Sequence, residues 1–324
     1  MRAVEFQEYG GPDVLHLVEA EVPGPGAGQV SIEVAWAGVN FADLKARAEG
    51  YRVASLPHRP GLEVSGRIRA VGEGVTVLRV GQEVAGLVQG GGYADVVVAE
   101  AAAVFALPGG VDLRTAATVP TVLPTAHALV HEVGRLQAGE TILVQGAAGG
   151  IGTAVGQLAR AAGAGAVYGV TSSKAKAEYA RAHGYDDVFL ADTFDQDIRR
   201  VTGGRGVDLV LDPAGGDTLR RGLEALAVFG RLVSFGNASG AAPWHAGQAD
   251  LATRSLSISG FSVLALASTA PNALRELTAR ALRTVAEGTV SLPVTAEFPL
   301  QGAAEAHRLM GGRTSTGKLL LHVA

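Results

Sequence analysis

Between residues 141 and 160, a strand, a glycine-rich turn and a helix follow one another, and this stretch constrains the fold most. Residues 141–145 favour a short strand, and Gly146, Gly149 and Gly152 then stand three apart before a segment with apolar residues at helical spacing. In this order, bare backbone N–H groups can approach a pyrophosphate at the positive end of a helix. The stretch therefore predicts nucleotide binding. An ordinary turn is the alternative, since the spacing is G-x-x-G-x-x-G and the chain has 45 glycines.

The composition is that of an ordinary globular protein with room for two domains. Of the 324 residues, 48% are hydrophobic and 18% charged, which suffices for two separate cores. A formal net charge of −4 without a basic cluster argues against nucleic acid as a partner. The first residues lack the apolar core of a secretion signal, and no apolar span of about 18 residues is free of glycines and charges. We therefore expect no membrane partner and a cytoplasmic location.

The pattern of the chain changes near residue 139. The first 110 residues are rich in Gly, Pro and short β-branched runs, which predicts a β-rich unit with strands at 30–37, 64–71, 83–88 and 93–99. A more helical stretch follows over 113–133, and Pro124 should kink or restart it.

From residue 139 onwards, strands alternate with helices. Strands are predicted at 141–145, 166–171, 187–190, 207–212 and 231–235, and helices at 151–162, 173–183, 195–202 and 217–225. This alternation predicts a parallel sheet with helices on both faces. A further strand at 255–263, helices at 271–287 and 302–310, and a closing strand at 318–323 complete the chain.

The second predicted strand of this region indicates which nucleotide binds. It runs into Ser172, Ser173 and Lys176 and carries no acidic residue. An acid at this place binds the 2′-hydroxyl of NAD, whereas its absence beside a cation suits the 2′-phosphate of NADP. We therefore favour NADPH over NADH. A helix cap formed by either serine, with solvated lysines, is an alternative that is compatible with phosphate binding.

Several separated motifs identify a family. They are Ala37-Gly-Val-Asn40-Phe-Ala-Asp43, Gly61-Leu-Glu63-Val-Ser-Gly66, Val71-Gly-Glu-Gly-Val75, Gln145-Gly-Ala-Ala-Gly-Gly-Ile-Gly152, Val233-Ser-Phe-Gly-Asn237 and Arg313-Thr-Ser-Thr-Gly-Lys318. With them the chain resembles the zinc-free quinone oxidoreductase (zeta-crystallin-like) branch of the medium-chain dehydrogenase/reductase superfamily. The resemblance implies an α/β fold in which a Rossmann doubly wound parallel sheet is inserted into a β-rich, GroES-like catalytic domain.

The same resemblance implies the domain boundaries and the assembly. The catalytic domain would comprise residues 1–118 and be completed by residues 259–324, which return to it, with the dinucleotide-binding domain at 119–258. Such proteins are often homodimers joined at the edge of the nucleotide-domain sheet. The predicted strand at 255–263 is the candidate edge, because an unpaired edge strand is otherwise a liability.

Metal sites of the superfamily cannot be assembled from this sequence. Zinc-dependent relatives carry Cys where Asn40 stands and His where Leu62 stands, and they carry a four-Cys lobe where residues 87–95 run. The chain has no cysteine at all, which also excludes disulfides and thiolate catalysis. We therefore expect no metal and no metal-assisted alcohol oxidation.

The resemblance also assigns residues. Asn40, Asp43 and Thr125 would lie near the nicotinamide, Tyr51 at the substrate mouth, and Lys318 or Arg313 would close the site. The expected cofactor-binding residues are Thr125, Gly146, Ala148, Gly149, Gly150, Ile151, Gly152, Ser172, Ser173, Lys176, Phe235, Gly236, Asn237 and Lys318. Two departures stand out, since Lys45 and a residue near Ala191 replace tyrosines common in the family.

These residues predict hydride transfer from NADPH to a quinone or related conjugated carbonyl. The cofactor carries the chemistry and the protein fixes geometry, with Asn40, Tyr51 and Asp43 as catalytic candidates. For Asp43 a helix cap is the stronger interpretation. Two other functions stay open: an alkenal or enone double-bond reductase, and an NADPH-binding sensor or structural protein with little turnover. His127 and His131 stand at i, i+4 but lack a third ligand, so packing is favoured over metal binding. Glu63 is expected to be a buried structural carboxylate.

Overall fold

The computed structural model describes residues 1–242 and 245–324. The chain divides into two compact units. The first contains residues 1–124, 264–288 and 292–324, and the second contains residues 125–263 and 289–291. The second unit is thus inserted into the sequence of the first.

The strands of the described residues alternate with helices only in the middle of the chain. They are β1 (Arg2–Glu5), β2 (His16–Glu19), β3 (Gln29–Val39), β4 (Glu63–Val71), β5 (Glu83–Leu87), β6 (Val96–Glu100), β7 (Val104–Ala106), β8 (Thr141–Gln145), β9 (Ala166–Thr171), β10 (Asp187–Leu190), β11 (Val207–Asp212), β12 (Leu226–Ser234), β13 (Ser257–Gly260), β14 (Val294–Pro299) and β15 (Lys318–His322).

The helices of the same residues are mostly short. They are α1 (Phe41–Glu49), α2 (Leu113–Ala116), α3 (Val122–His127), α4 (Gly150–Ala161), α5 (Lys174–Arg181), α6 (Phe194–Val201), α7 (Gly216–Glu224), α8 (Gln248–Ala252), α9 (Val263–Thr269), α10 (Pro271–Ala286) and α11 (Ala303–Gly311). No helix in the described part of the chain has the length and apolar character needed to cross a membrane.

The inserted unit is a parallel sheet of six strands in the order β10-β9-β8-β11-β12-β13. Helices α4 to α7 pack against its strands. The chain moves outwards from β8 to β10, then returns to the other side of β8 with β11. The strand order therefore reverses beside the carboxyl end of β8, which is where ligands bind in open α/β sheets. The parallel sheet predicted from the alternating pattern is confirmed, and it is Rossmann-like, as the resemblance implies.

The other unit is built on a mixed sheet in which β15, the closing strand of the chain, pairs with β3 from its beginning. The order along the sheet is β14-β15-β3-β4-β5-β7, and β6 also pairs with β3. Its core is formed by alternate residues of these strands, among them Ile32, Val64 and Leu321. The β-rich unit predicted for the start of the chain is confirmed, and the last strand completes its sheet.

The structure differs from the sequence expectations at several boundaries. The stretch 113–133 is not one helix, because α2 ends at Ala116 and the helix restarts at Val122, with Pro124 in the first turn where its missing N–H costs no hydrogen bond. A π-helical turn over Ala128–Glu132 then follows. The strand predicted at 93–99 begins only at Val96, since residues 93–95 hydrogen-bond with β1 instead.

Candidate active site

The glycine-rich turn after β8 leads directly into the amino terminus of α4. Gly146 has φ +70, a left-handed conformation that favours glycine. A Cβ on Gly152 would collide with the carbonyl oxygen of Gly146, so only glycine allows this close approach. Gly149 caps the helix and Gly150, Ile151 and Gly152 are its first three residues, whose N–H groups have no partner within the helix. Ala148 is buried in the turn. The turn thus presents backbone donors to an anion.

The segment after β9 contains the residues expected near the adenosine ribose. Ser173 caps α5, and its hydroxyl oxygen accepts a hydrogen bond from the backbone N–H of Lys176 at 3.4 Å. Ser172 is exposed and Lys176 is half-buried. The capping interpretation is therefore correct for Ser173. Its hydroxyl hydrogen is still available to donate, so the cap does not prevent phosphate binding.

Residues 235–237 continue beyond β12 and run beside the chain that leaves β11. The backbone N–H of Phe235 donates to the carbonyl oxygen of Asp212 at 2.9 Å. A Cβ on Gly236 would approach the carbonyl oxygen of Pro213 to 2.6 Å. The amide of Asn237 donates to Ala241 O at 2.9 Å and accepts from the Ser239 hydroxyl at 3.2 Å. Because β8, β11 and β12 are adjacent and parallel, the fold brings the glycine turn and residues 235–237 to one edge of the sheet.

Thr125 and Asp212 are two further polar residues of this unit. Thr125, in α3, is buried. Asp212, which the sequence analysis did not select, ends β11 and is fully buried, and its Oδ1 accepts backbone N–H groups of Ala214 and Gly215 at 2.9 and 2.6 Å. Burial raises the pKa of Asp212 above its usual value. The Asp-Pro-Ala-Gly-Gly run after a strand was the available signal for this turn.

In the other unit, Asn40 and Asp43 form the amino terminus of α1. The Asp43 carboxylate accepts the backbone N–H of Asn40 at 2.9 Å and that of Gly61 at 3.1 Å. It is therefore a helix cap, as favoured from the sequence. Asp43 is only 1% exposed, and this burial raises its pKa to about 7, although both backbone donors act in the opposite direction. Asp43 thus combines a capping role with a carboxyl group that titrates near neutrality.

Behind Asn40 lies a buried ion pair between Glu63 and Lys318. The three N–H donors of the Lys318 ammonium reach Glu63 Oε1, Asn40 Oδ1 at 3.0 Å and the carbonyl oxygen of Val39 at 3.3 Å. Glu63 also accepts the Asn40 side-chain amide at 2.9 Å through Oε1, and the backbone N–H of Thr121 at 2.8 Å through Oε2. In this arrangement Lys318 has no donor left for a cofactor. It contributes to the site by holding Asn40 and Glu63.

A pocket is lined by residues of α1 and of the segments that follow it. Asp43 and Tyr51 both line it, together with Arg52, His58 and Leu264. Tyr51 is 43% exposed, so its hydroxyl can reach a bound molecule. The structure thus brings two of the three catalytic candidates to one pocket, whereas Asn40 is not among its lining residues.

Lys45, Ala191 and Arg313 are the remaining residues that the resemblance singled out. The Lys45 ammonium lies 3.4 Å from the Glu49 carboxylate and 5.9 Å from the centre of the Tyr51 ring. Arg313 is exposed. Ala191 follows β10 and its N–H bonds to the carbonyl oxygen of Thr171. Lys45 therefore packs on the pocket's tyrosine instead of replacing a hydroxyl.

The histidine pair at i, i+4 lies in the π-helical region, with ring centres 5.6 Å apart. His127 is buried. Within residues 1–242 and 245–324, no group of three or more His, Cys, Asp or Glu side chains has a geometry able to hold a metal ion.

Sequence reasoning missed three buried residues behind Asp43. The Tyr93 hydroxyl lies 3.4 Å from Asp43 Oδ2 and 3.2 Å from His307 Nε2. Arg47 lies near His307 and its charge helps lower the pKa of that imidazole. No spacing in the sequence links these residues, since they come together only through the tertiary structure.

The comparisons with known proteins follow the two units. A family model described as alcohol dehydrogenase GroES-like domain matches residues 26–109, and one described as zinc-binding dehydrogenase matches residues 150–279. The quinone oxidoreductase of Pseudomonas aeruginosa is 32% identical over 99% of this chain and 99% of its own length. A mycocerosic acid synthase-like polyketide synthase of Mycolicibacterium smegmatis is 36% identical over 97% of this chain, which spans only 15% of that protein.

Solved structures give the same result over the full length. The Escherichia coli quinone oxidoreductase complexed with NADPH is 29% identical, with a TM-score of 0.91 and complete coverage of both chains. The quinone oxidoreductase of Pseudomonas syringae is 30% identical, with a TM-score of 0.93 and 99% coverage of both chains. Fold and site thus define a medium-chain dehydrogenase/reductase. Within this superfamily of oxidoreductases, the chain belongs to the quinone oxidoreductase-like branch, as its motifs predict.

The buried ion pair gives a stability prediction. Lys318→Met leaves the Glu63 carboxylate buried without its cation, so we expect the free energy of unfolding to fall by about 3–5 kcal/mol in urea denaturation. Adding Glu63→Gln to this variant removes the unpaired charge and should restore part of the loss. Arg67→Met, which breaks an exposed pair with Glu83, should cost less than about 1 kcal/mol. An equal effect of Lys318→Met and Arg67→Met would contradict the importance of the buried pair.

Proposed function

We propose that the protein transfers hydride from NADPH to quinones or related conjugated carbonyl compounds without a metal ion. The observation that carries this proposal is the full-length similarity to a quinone oxidoreductase complexed with NADPH. Because a fold hosts many functions, the proposal also requires that the residues of this chain suit the cofactor and the reaction.

The inserted unit suits a dinucleotide. We propose that a pyrophosphate binds at the start of α4, where the N–H groups of Gly150, Ile151 and Gly152 have no partner within the helix and the positive end of the helix dipole lies. The left-handed Gly146 and the close approach at Gly152 admit no side chain there. Residues 235–237 lie on the same edge of the sheet, as does Thr171, which ends β9. We propose that these segments hold NADPH, with Thr125 and Asn237 nearer its nicotinamide.

The residues after β9 favour the 2′-phosphate. No acidic residue occurs from Thr171 to Ala177, so nothing there would repel a phosphate or hydrogen-bond a ribose 2′-hydroxyl in its place. Ser172 and Ser173 offer hydroxyl donors, and Lys176 offers a cation. We propose that these three side chains select NADPH over NADH.

When bound, the cofactor supplies the hydride, and the chain must orient the acceptor and stabilise the negative charge that develops on its oxygen. The Tyr51 hydroxyl lines the pocket and is a donor for that oxygen. The Asn40 amide keeps one N–H beyond the one that it gives to Glu63. The residues at the zinc-ligand positions of the superfamily, Asn40 and Leu62, do not bind zinc, so a metal-free reaction suits the chain.

Reduction of a conjugated double bond is the second candidate. The observation that favours it is the similarity to polyketide synthases, of whose length the chain spans about 15%. We therefore include an unsaturated acyl thioester among the acceptors to be tested beside alkenals. The hydride donor would be the same, and the shape of the acceptor pocket would differ.

We further propose that the protein forms a homodimer through the free edge of β13. Within residues 1–242 and 245–324, this strand pairs with β12 on one side only and ends the six-stranded sheet. Its unpaired backbone groups would bond with those of a second copy. Light scattering on the purified protein should give twice the mass of the 32.9 kDa chain; a monomer at micromolar concentration would refute this.

The acceptor panel tests the function directly. NADPH and NADH oxidation is followed at 340 nm with 1,4-benzoquinone, 9,10-phenanthrenequinone, 2-hexenal and crotonyl-CoA. We expect turnover with quinones and a strong preference for NADPH. Turnover with hexenal or crotonyl-CoA alone would select the double-bond reductase. Tight NADPH binding without turnover of any acceptor would indicate a sensor or structural protein.

Cofactor choice has its own variant. Lys176→Ala removes the cation proposed to meet the 2′-phosphate, so the KM for NADPH should rise about 10-fold, equivalent to the roughly 1.4 kcal/mol expected for one charge-assisted contact. The KM for NADH should stay unchanged. Lys174→Ala, an exposed lysine of the same helix, is the control and should change either KM less than about twofold. An equal rise for both cofactors would contradict a phosphate-specific role.

A further inference from the structure

A buried chain of side chains leads from the pocket into the interior. Asp43 lines the pocket, Tyr93 lies behind it, and His307 of α11 lies behind Tyr93. All three are almost wholly inaccessible to solvent. The Tyr93 and His307 rings also meet edge to face, with their centres 5.8 Å apart. The aromatic contact fixes the hydroxyl between the carboxylate and the imidazole.

The hydrogen bonds that link Asp43, Tyr93 and His307 have a preferred direction. Burial and the neighbouring Arg47 charge lower the pKa of His307 to about 3, so the imidazole is neutral. Arg47 is itself buried, and within the described part of the chain its Nε and Nη1 have no hydrogen-bond partner, as is also true of His307 Nδ1. The single hydrogen of the Tyr93 hydroxyl is donated to Asp43 Oδ2, so the contact between Tyr93 and Nε2 needs its hydrogen from the imidazole, and the proton belongs on Nε2. His307 then donates to the Tyr93 oxygen, which leaves the Tyr93 hydrogen for Asp43.

We propose that Tyr93 and His307 are positioning residues that hold Asp43 as the proton donor of the reaction proposed above. Hydride addition brings two electrons and one hydrogen nucleus to the acceptor and leaves an oxyanion on it. The O–H bond of protonated Asp43 then breaks while an O–H bond forms on the acceptor. The new carboxylate is met by the Tyr93 hydroxyl and by the N–H groups of Asn40 and Gly61, and water in the pocket returns its proton.

Other charged groups around Asp43 also act on it. Glu63 favours its protonated form and Lys318 its ionised form. Arg52 and His58 line the same pocket, and Arg47 lies on the same helix, beyond His307. None of these changes in the variants below, so a difference between variants reports the Tyr93 and His307 hydrogen bonds.

The sign of the pH dependence follows from the role of acid. Asp43 must carry its proton, and its pKa of about 7 means that kcat/KM should fall as the pH rises through about 7. Tyr93 donates to the ionised form, so its removal disfavours the carboxylate and raises the pKa of Asp43. Activity should then persist to higher pH.

The experiment is the pH profile of kcat/KM with 1,4-benzoquinone for the wild type and matched variants. Tyr93→Phe should move the falling limb upwards by about one pH unit, and His307→Leu in the same direction. His307→Gln, which keeps an N–H for Tyr93, should restore the wild-type limb. Asp43→Asn should remove the fall of kcat/KM at high pH and lower the maximal kcat/KM about 100-fold. Tyr168→Phe, in β9, should behave as the wild type.

The outcomes separate this inference from the proposed function. Absence of turnover in the wild type at every pH would refute the proposed function. Turnover with the same limb in wild type, Tyr93→Phe and Asp43→Asn would refute only the proton-donor role. Carbon-13 NMR of labelled aspartate tests the positioning without turnover. The carboxyl resonance that is lost in Asp43→Asn should titrate near neutrality, and the pKa of this resonance should rise in Tyr93→Phe. An unchanged titration would overturn the hydrogen-bond chain.

Discussion

The buried ion pair of Glu63 and Lys318 is the interaction on which the β-rich unit depends. It joins β4 to β15, the last strand, and through Asn40 and Thr121 it fixes the starts of α1 and α3. Two charges removed from water are costly unless every donor and acceptor is satisfied. Here the ammonium has three acceptors, and Gly38 makes room for the carboxylate, because a Cβ there would collide with Glu63. The pair thus sets the position of the Asn40 amide before any substrate arrives.

Each of the two units contains backbone N–H groups whose positions depend on glycine. In the inserted unit, N–H groups at the start of α4 face the expected pyrophosphate position, and Gly146 and Gly152 permit that geometry. In the other unit, backbone N–H groups of Asn40 and Gly61 hold Asp43, and the left-handed Gly50 ends α1 just before Tyr51. In our proposal, side chains then add selectivity, with Ser172, Ser173 and Lys176 for the cofactor and Tyr51 for the acceptor. Backbone donors in a folded turn are already ordered, so binding a ligand to them costs little conformational entropy.

How far the sequence predicts the fold depends on the range of the interactions. The parallel strands β8 to β11 were predicted at their exact positions, since each is a short apolar run set between glycines and a helical pattern. Helix α1 was not predicted, because its nine residues show no clear helical spacing of apolar residues. Its cap, Asp43, was nevertheless recognised. Lys318 was expected to contact the cofactor, yet its ammonium forms an ion pair with Glu63, which lies 255 residues away in the sequence. Tyr93 and His307, separated by 214 residues, left no local signal.

The sequence by itself determined the class of the protein: the glycine turn between a strand and a helix, the absence of cysteine and the lack of an acid after β9 are local features with local physical consequences. Family, Rossmann-like sheet and β-rich unit followed from them and from the separated motifs. Only the tertiary structure decided which polar groups meet. Burial is a property of the packed molecule, and it is burial that turns Asp43 from an ordinary capping carboxylate into one with a pKa of about 7 and gives Lys318 its partner.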